Sequence, residues 1–472
     1  MASTTDITTG NAVGGQDDPI VTILDRIRAY GDRPAIVEDD RTVSYAGFSE
    51  MIDGWRRRLA DEGIGAGTVC GFLGDFSAAS CSLYFALLRE RAVLVPFSTA
   101  AKPELARFLE IASVEFLIHL DDDGPGTIEK LTVDKTNPLI VDFRPRGHAG
   151  LVLFSSGSTG GAKGILHDCN PLLRKFLVER PGWRTMLFLL IDHIGGFNTM
   201  LSTFSCSGLG VCTAERTPDA VCRLIQDTQA ELLPTTPTFL NLLYSSRSWE
   251  KFDLSSLQMI TYGTEVMSDE TLKNVGTMFP NVRIKQTYGL SELGILRSQS
   301  ESSGSPWVKV GGEGYKTKVV DNILWIKADS NMIGYLNAPS PFDDDGWMCT
   351  DDVVEVRGDH FRFKGRQSEL INVGGQKVHP HEVEDVLLAA PNIMDAAVFK
   401  QSHPILGNVP VARVTLKDEE SPADLTKRLR RYCREKLAKH KVPMKFEIVG
   451  ADDIRNPRFK KIRKADKKAE NA

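Results

Sequence analysis

The sequence lacks the patterns that identify several common kinds of site. Its eight cysteines include no CxxC pair, and its nine histidines include no HExxH motif. The sequence therefore indicates neither a disulfide framework nor a zinc site, and scattered cysteines favour a reducing compartment. No apolar run reaches the roughly 18–20 residues that a membrane-spanning helix needs. We expect a cytoplasmic protein without a membrane span.

Strong charge of one sign is also missing from most of the chain. The 472 residues carry a net charge of −5, with 25% charged and 42% hydrophobic residues, as is ordinary for a soluble globular protein. This balance indicates no nucleic-acid partner. Only residues 455–468 (RNPRFKKIRKADKK) are strongly basic, as either a solvated tail or a functional segment. The length suggests two or more packed units.

The distribution of apolar residues predicts an α/β fold whose mainly parallel sheets are flanked by helices. Residues 69–73, 92–96, 115–120, 151–154, 186–191 and 259–262 are typical of buried strands, and residues 45–62 and 219–227 have helical periodicity. From about Asp351 the chain changes to short strands (353–357 and 360–364) and charged helices (381–389 and 423–438). This change predicts a small α+β C-terminal domain. We therefore predict a disordered leader at 1–18, a large N-terminal domain at 19–366, a hinge at 367–370 and the small domain at 371–472.

A glycine-rich loop is the strongest local signal. Residues 151–164 (LVLFSSGSTGGAKG) join an apolar strand to small and hydroxylated residues and one lysine. Backbone N–H groups, hydroxyls and the lysine together suit a polyphosphate. The loop is neither a GxxxxGK[ST] loop nor a GxGxxG fingerprint. From these residues alone, a flexible surface loop is an equal alternative.

Four further segments follow the loop in chain order. They are residues 286–294 (QTYGLSELG), 346–352 (GWMCTDD), 365–384 (GRQSELINVGGQKVHPHEVE) and 460–464 (KKIRK). With the loop, they resemble the motifs of the adenylate-forming superfamily of acyl- and aryl-CoA synthetases, nonribosomal adenylation domains and beetle luciferases. The resemblance covers about residues 20–465. The departures from the family's pattern are Ser291 for threonine, Asp351 and Lys460 for glycine, Lys464 for arginine, and Ser368 where Asp or Lys is usual.

The resemblance implies a reaction in two steps. The large domain would bind ATP and a carboxylic acid, and the mobile small domain would carry a catalytic lysine. The acid would become an acyl-adenylate with release of pyrophosphate, and the acyl group would pass to a thiol. Because a carboxylate and a phosphate are both anions, the first step needs a cation and Mg²⁺ to offset their repulsion. The implied cofactors are ATP, Mg²⁺ and coenzyme A or a carrier-protein phosphopantetheine.

The family's nucleotide site maps onto matched positions of this chain. Glu292 and Thr159 are the implied metal ligands, Tyr288 the adenine-stacking ring, and Asp352 with Arg366 the ribose contacts. A carboxylate has two oxygens and can accept from both ribose hydroxyls. The full implied ATP-binding set is Ser155, Ser156, Gly157, Ser158, Thr159, Gly160, Lys163, Gly263, Thr264, Glu265, Tyr288, Gly289, Ser291, Asp352 and Arg366.

The C-terminal motifs imply a moving catalytic residue. Lys461 matches the family's adenylation lysine, and Lys460 is a rival because it replaces a glycine. Ser368 stands at the hinge, and Gly374 and Gly375 match the strip along which a pantetheine arm enters. The implied catalytic residues are Lys461, Glu292 and His193.

The acid pocket is the least clear part of the resemblance. Residues 191–197 (IDHIGGF) follow a strand where the family places a gate to the acyl site. The implied pocket residues are His193, Phe197, Thr238, Gly263 and Leu293. A packed histidine is the alternative for His193. Asp192 lies one position from the aspartate that grips an amino-acid ammonium, so we expect an aryl or medium-to-long aliphatic acid instead.

The prediction of an acid–thiol ligase leaves several alternative functions open. A stand-alone enzyme that loads a carrier-protein phosphopantetheine, or one that forms an amide, would use the same adenylate. A kinase or P-loop ATPase would need a Walker A loop, which the chain lacks. A non-catalytic ATP-binding scaffold would be favoured by loss of Lys461, Glu292 or Asp352, and all three are present.

Overall fold

The computed structural model describes residues 18–120, 126–155, 161–213, 215–456 and 459–463. The α-helices of these residues are α1 Pro19–Ala29, α2 Tyr45–Asp61, α3 Ala78–Arg89, α4 Leu105–Ala112, α5 Pro138–Phe143, α6 Cys169–Arg174, α7 Ile194–Phe204, α8 Pro218–Thr228, α9 Pro237–Ser246, α10 Asp269–Met278, α11 Pro380–Leu388, α12 Pro422–Lys436 and α13 Ala451–Ile454.

The strands of the described residues are β1 Pro34–Glu38, β2 Arg41–Ser44, β3 Val69–Leu73, β4 Val93–Phe97, β5 Phe116–His119, β6 Thr127–Lys130, β7 Gly150–Ser155, β8 Lys163–Asp168, β9 Arg184–Leu187, β10 Leu209–Cys212, β11 Leu232–Thr235, β12 Met259–Tyr262, β13 Arg283–Gln286, β14 Tyr288–Leu290, β15 Gly294–Leu296, β16 Ser298–Ser300, β17 Val308–Val310, β18 Tyr315–Val320, β19 Ile323–Ala328, β20 Gly334–Tyr335, β21 Met348–Arg357, β22 His360–Arg366, β23 Ile371–Val373, β24 Gln376–Val378, β25 Ile393–His403, β26 Gly407–Leu416 and β27 Lys445–Ile448.

Several helices begin where the sequence supplies a cap and a proline. The hydroxyls of Thr217, Thr236 and Ser421 accept the N–H three residues further along, and each is followed by proline at the first helical position. The hydroxyl satisfies an N–H that has no partner within the helix, and proline lacks an N–H to leave unpaired. These signals fix the starts of α8, α9 and α12.

Two seven-stranded sheets form the centre of the large unit. One has the order β13-β12-β11-β9-β10-β1-β2, and the other β20-β8-β7-β4-β3-β5-β6. Strands β9 to β13 pair in parallel, as do β3, β4, β5 and β7, while β2, β6, β8 and β20 pair antiparallel. The strands at the centre are buried on both faces and read as apolar runs, which is why the sequence predicts them.

The change in sequence pattern at Asp351, to short strands and charged helices, lies within a third sheet. That sheet is antiparallel, with the order β16-β17-β22-β21-β19-β18, and it ends at Arg366. The predicted strands 353–357 and 360–364 are parts of β21 and β22, so they belong with residues 298–328 and not with the chain that follows. A fourth sheet, β24-β23-β26-β25 with β27 against β26, packs with α11 and α12 after residue 370.

One predicted strand is wrong over its last four residues, 188–191. Residues 186–191 were expected to be extended, but β9 ends at Leu187 because its neighbour β10 ends at the paired Cys212. The chain then turns, and His193 caps α7. No helix among the described ranges is both long and apolar enough to cross a membrane.

Candidate active site

The glycine-rich loop is closed by two antiparallel strands. Ser155 at the end of β7 pairs with Lys163 at the start of β8, so the residues between them form one connection. Ser156, Gly157, Ser158, Thr159 and Gly160 lie outside the described residues. Their phosphate and metal roles stay predictions.

Lys163 is held by β20 and the residues that follow it. Its ammonium lies 4.7 Å from the centroid of the Tyr335 ring, a cation–π contact. The Asn337 side chain accepts from the N–H of Gly164 at 3.0 Å and donates to the carbonyl of Ala162 at 2.9 Å. The backbone on both sides of Lys163 is therefore fixed by one amide group.

Glu292 lies in the turn between β14 and β15. The Tyr335 hydroxyl donates to Glu292 Oε1 at 2.7 Å, and the Glu292 carbonyl accepts from the N–H of Met332 at 2.8 Å. His167 Nε2 lies 2.6 Å from the carbonyl of Ser291. Burial lowers the pKa of His167 to about 4, so the ring is neutral and Nε2 is the nitrogen that carries the proton. The turn is thus fixed on both sides of the carboxylate.

Asp352, Tyr288 and Arg366 meet at the edge of the third sheet. The register of β21 and β22 pairs Asp352 with Arg366, whose Nε lies 3.4 Å from Oδ1. The Tyr288 hydroxyl donates to Oδ2 at 2.6 Å, and the Tyr288 ring stacks on Phe363 at 4.5 Å. Burial raises the pKa of Asp352, against the opposing effects of Arg366 and Tyr288. Sequence reasoning missed Phe363, which covers one face of the predicted adenine-stacking ring.

The predicted adenine segment follows β12 and needs a glycine. A Cβ on Gly263 would lie 2.7 Å from Thr287 Oγ1 and 2.9 Å from the Thr287 carbonyl oxygen. Thr264 then takes a φ of 72°, an uncommon value for a residue with a side chain. The Glu265 carboxylate accepts from the Thr238 hydroxyl at 2.6 Å and from the N–H of Lys461 at 2.8 Å.

The Lys461 side chain lies among carboxylates of the fourth sheet and its helix. Its Nζ is 3.3 Å from Glu384 Oε2 and 3.9 Å from Asp395 Oδ1, and only 11% of the side chain is exposed. Burial disfavours the charge, but Glu384 and Asp395 outweigh it, and the pKa of Lys461 is raised. Arg463 also pairs with Glu384, at 2.9 Å. The rival Lys460 donates its N–H to Asn456 Oδ1 at 3.0 Å.

Phe459 is a second residue that sequence reasoning missed. Its ring centroid lies 5.5 Å from that of Phe188 and 5.4 Å from that of Phe239, and its carbonyl accepts from the Thr236 hydroxyl at 3.2 Å. The segment around Lys461 is therefore anchored on the large unit. The only signal in the sequence was an aromatic residue inside a basic tail.

The predicted acid-pocket residues come from several elements of the large unit. His193 Nδ1 accepts from the N–H of Gly195 at 3.1 Å and caps α7. Phe197 is buried against Tyr84, whereas Leu293 is buried in the cluster that contains Tyr288. The assignment of these residues to an acid pocket stays a prediction.

The hinge residue Ser368 lies in a 3₁₀ turn, Gln367–Glu369. Its N–H donates to Asp351 Oδ2 at 3.2 Å, and its hydroxyl donates to the same oxygen. Asp351 has a φ of 66°. Gly374 and Gly375 form the exposed turn between β23 and β24, with φ of 57° and 88°. Both assignments, of hinge and of pantetheine path, stay predictions.

A cavity of about 240 Å³ is lined by residues of the first sheet, the third sheet and α11. Tyr262 and Gln286 come from β12 and β13, Phe363 from β22, and His381 and Asp385 from α11. Burial raises the pKa of Asp385 to about 7, with Glu384 contributing and Lys461 opposing. This carboxyl therefore titrates near neutral pH.

Two family models match the sequence. That of the AMP-binding enzymes matches residues 24–335, and that of the AMP-binding enzyme C-terminal domain matches residues 382–457. The chain belongs to the AMP-binding enzyme family. The predicted adenylate-forming superfamily and the predicted α/β fold with a large and a small domain are confirmed.

Relatives of this AMP-binding enzyme include CoA ligases and a luciferase. A luciferin 4-monooxygenase of Luciola mingrelica is 28% identical over 328 residues, and the match covers 62% of this chain but only 58% of that relative. A 4-coumarate–CoA ligase of Pinus taeda is 25% identical over 464 residues, covering 85% of this chain and 86% of the relative. The crystal structure of the anthranilate CoA ligase AuaEII in complex with anthranoyl-AMP matches with a TM-score of 0.78 and 20% identity, over 92% of this chain and 93% of that one. This last likeness shows the shared fold.

The residues present fit the nucleotide and metal that AMP-binding enzymes use. No group of three or more His, Cys, Asp or Glu side chains within the described residues could hold a metal by itself. Mg²⁺ is usually held by one or two carboxylates together with phosphates and water. Among the described contacts, only Oε1 of Glu292 is engaged by a side chain, so Oε2 can serve as such a ligand.

Proposed function

We propose that this chain is an AMP-forming acid–thiol ligase. In the first step a carboxylate oxygen of the acid attacks the α-phosphorus of ATP, and pyrophosphate leaves. In the second step a thiol sulfur attacks the acyl carbon, and AMP leaves. The observation that carries the proposal is a pair of carboxylates, Asp352 and Glu292, each held at one oxygen by a tyrosine hydroxyl.

The two carboxylates would have different tasks. Asp352 would accept hydrogen bonds from the ribose hydroxyls, and Arg366 beside it partly offsets the cost of burying its charge. Glu292 would bind Mg²⁺, which when present withdraws charge from the phosphates and the leaving pyrophosphate. Lys163, at the end of the loop, would contact the phosphates.

Lys461 must move before it can act in the first step. Its ammonium is paired with Glu384 and Asp395, and a cation assists adenylation only where acid and α-phosphate approach each other. We propose that Lys461 exchanges these carboxylates, which lie in the same part of the chain, for the reacting anions of the first step. The chain after residue 370 would then turn about Ser368 and bring Gly374 and Gly375 to the acyl-adenylate for the second step.

The acid that we propose is aryl or medium-to-long aliphatic. Asp192 is buried, and its Oδ2 accepts from the N–H and the hydroxyl of Ser98 at 3.2 and 2.8 Å. An aspartate engaged in this way is poorly placed to receive a substrate ammonium. The 4-coumarate–CoA ligase relative supports an aryl acid.

Product analysis tests this function. The protein, ATP and Mg²⁺ are incubated with aryl acids, aliphatic acids and amino acids, with and without coenzyme A, and Lys461→Ala serves as the control for contaminating ligases. We expect AMP and pyrophosphate with an aryl or aliphatic acid, and an acyl-CoA when coenzyme A is present. Stoichiometric ADP would refute acyl-adenylate formation. Turnover only with a carrier protein or an amine would refute coenzyme A as the acceptor.

A further inference from the structure

Tyr335 joins two residues of the nucleotide site that come from distant motifs. It lies on the two-residue strand β20, which pairs antiparallel with β8 through Ile165. Its hydroxyl donates to Glu292 Oε1 at 2.7 Å, and the Lys163 ammonium lies 4.7 Å from the centroid of its ring. No motif in the sequence singled this residue out.

We propose that Tyr335 is a positioning residue that orients Glu292 for Mg²⁺ and holds Lys163 beside the loop. The proposal rests on the proposed function, because it needs Glu292 to be the metal ligand. A hydrogen bond to one oxygen of a ligating carboxylate fixes the direction of the other, and such partners strongly influence metal affinity.

The hydroxyl is suited to remain a donor. A carboxylate oxygen can only accept, so the Tyr335 hydroxyl proton points to Glu292 Oε1. Held at one oxygen in this way, the carboxylate has less freedom to rotate.

The backbone around Tyr335 is fixed independently of its side chain. The N–H of Ile333 donates to the Leu166 carbonyl at 2.7 Å, and the N–H of Leu336 donates to the Gly164 carbonyl at 2.8 Å. The Asn337 side chain hydrogen-bonds to the backbone on both sides of Lys163. Because these bonds do not involve the hydroxyl, Tyr335→Phe should retain the local fold.

Metal binding and nucleotide binding, measured separately, test the proposal. Mn²⁺ is titrated by electron paramagnetic resonance in the presence of a non-hydrolysable α,β-methylene ATP, and the same nucleotide is titrated by calorimetry in EDTA. Tyr335→Phe should weaken Mn²⁺ binding about tenfold or more, the range for loss of a ligand's supporting partner. It should leave metal-free nucleotide binding and the melting temperature close to wild type. Tyr335→Leu, which also removes the ring beneath Lys163, should in addition weaken metal-free nucleotide binding.

A matched variant separates this role from packing. Tyr315 lies in the third sheet and has a hydroxyl contact with Ser330 at 3.3 Å, so Tyr315→Phe should leave Mn²⁺ binding unchanged. If Tyr335→Phe binds Mn²⁺ with wild-type affinity, or loses as much metal-free nucleotide affinity as Mn²⁺ affinity, this proposal is overturned while the proposed function stands. A wild-type protein that binds no Mn²⁺–nucleotide would refute the proposed function as well. If Tyr335→Phe weakens Mn²⁺ binding further in a Glu292→Gln background, the tyrosine does not act through Glu292, and the proposal fails.

Discussion

Replacement of Glu384 by glutamine should destabilise the chain after residue 370. Glu384 is 2% exposed, and its Oε1 accepts from the N–H of Val398 at 2.9 Å and from Arg463 Nε at 3.0 Å. Its Oε2 pairs with Lys461 and again with Arg463. Glu384→Gln keeps the size of the side chain but leaves two buried cations with less compensating charge.

The size of the effect follows from the pKa of Glu384. Arg463 and Lys461 outweigh burial and lower it from 4.5 to about 2. At 1.36 kcal/mol per pKa unit, the charge contributes about 3 kcal/mol to the free energy of unfolding. Loss of one partner of a buried ion pair usually costs about 3–5 kcal/mol. The lower end applies here because Asp395 still faces Lys461 and Glu369 still pairs with Arg463 at 3.0 Å.

The pH dependence has a definite sign. Because the folded pKa is depressed, the stabilisation is fully present above about pH 4.5 and declines as the pH falls towards about 2. Hydrogen exchange of α11 and β25 at pH 7 measures the opening free energy of this part. A loss of about 3 kcal/mol corresponds to exchange faster by roughly 150-fold.

A variant on the same helix provides the control. Glu382 pairs with Lys441, and their side chains are 33% and 26% exposed. A partly exposed pair contributes about 1 kcal/mol or less, so Glu382→Gln should accelerate exchange less than about tenfold. Equal acceleration in the two variants, or less than tenfold in Glu384→Gln, would refute the reasoning that the buried cluster holds this region together.

Three further predictions concern the nucleotide, pH and the lysine register. Asp352→Ala should weaken ATP binding in calorimetry, since each hydrogen bond to a charged group is worth about 1.5–3 kcal/mol; unchanged affinity with unchanged circular dichroism would exclude the ribose role. Asp385→Asn should raise the melting temperature more at pH 8 than at pH 5, because a pKa raised from 3.8 to about 7 makes folding progressively less favourable between those two pH values; an equal gain at both pH values contradicts this. Lys461→Ala should abolish pyrophosphate release yet still convert supplied acyl-adenylate to thioester, and Lys460→Ala should stay within about tenfold of wild type. The reverse order of severity would place the catalytic lysine one residue earlier.

Much of the fold could be predicted because buried parallel strands leave continuous apolar runs. Residues 69–73 and 259–262 coincide with β3 and β12. The end of β9 could not be predicted in the same way, since the apolar residues Phe188, Leu190 and Ile191 are buried without belonging to a strand. A run of apolar residues indicates burial, whereas pairing with β10 decides where β9 ends.

The candidate site, like the fold, was predictable from the sequence only in part. Tyr288, Asp352 and Arg366 lie in three separate motifs. The register of β21 and β22 brings Asp352 beside Arg366, and the Tyr288 hydroxyl on β14 reaches Asp352. Contacts made by residues outside any motif could not be predicted from the sequence. The hydrogen bond from the Tyr335 hydroxyl to Glu292 is an example. Nor could a motif indicate that the Lys461 ammonium faces Glu384, because the partner of a charge depends on how distant segments of the chain pack.

The hydrogen bonds between Asp351 and Ser368 bear on how this sequence could have changed over time. Each residue departs from the family's pattern, and the two departures contact each other. Asp351 at a φ of 66° forgoes the freedom of the glycine usual there, and in return its carboxylate receives the Ser368 donors. The bond from the Ser368 N–H needs only the aspartate, but the bond from the Ser368 hydroxyl needs both substitutions, so the two positions should be inherited as a pair. Homologues with aspartate at the first position should carry a short hydroxyl or amide side chain at the second, and lineages with glycine there should be free of that constraint.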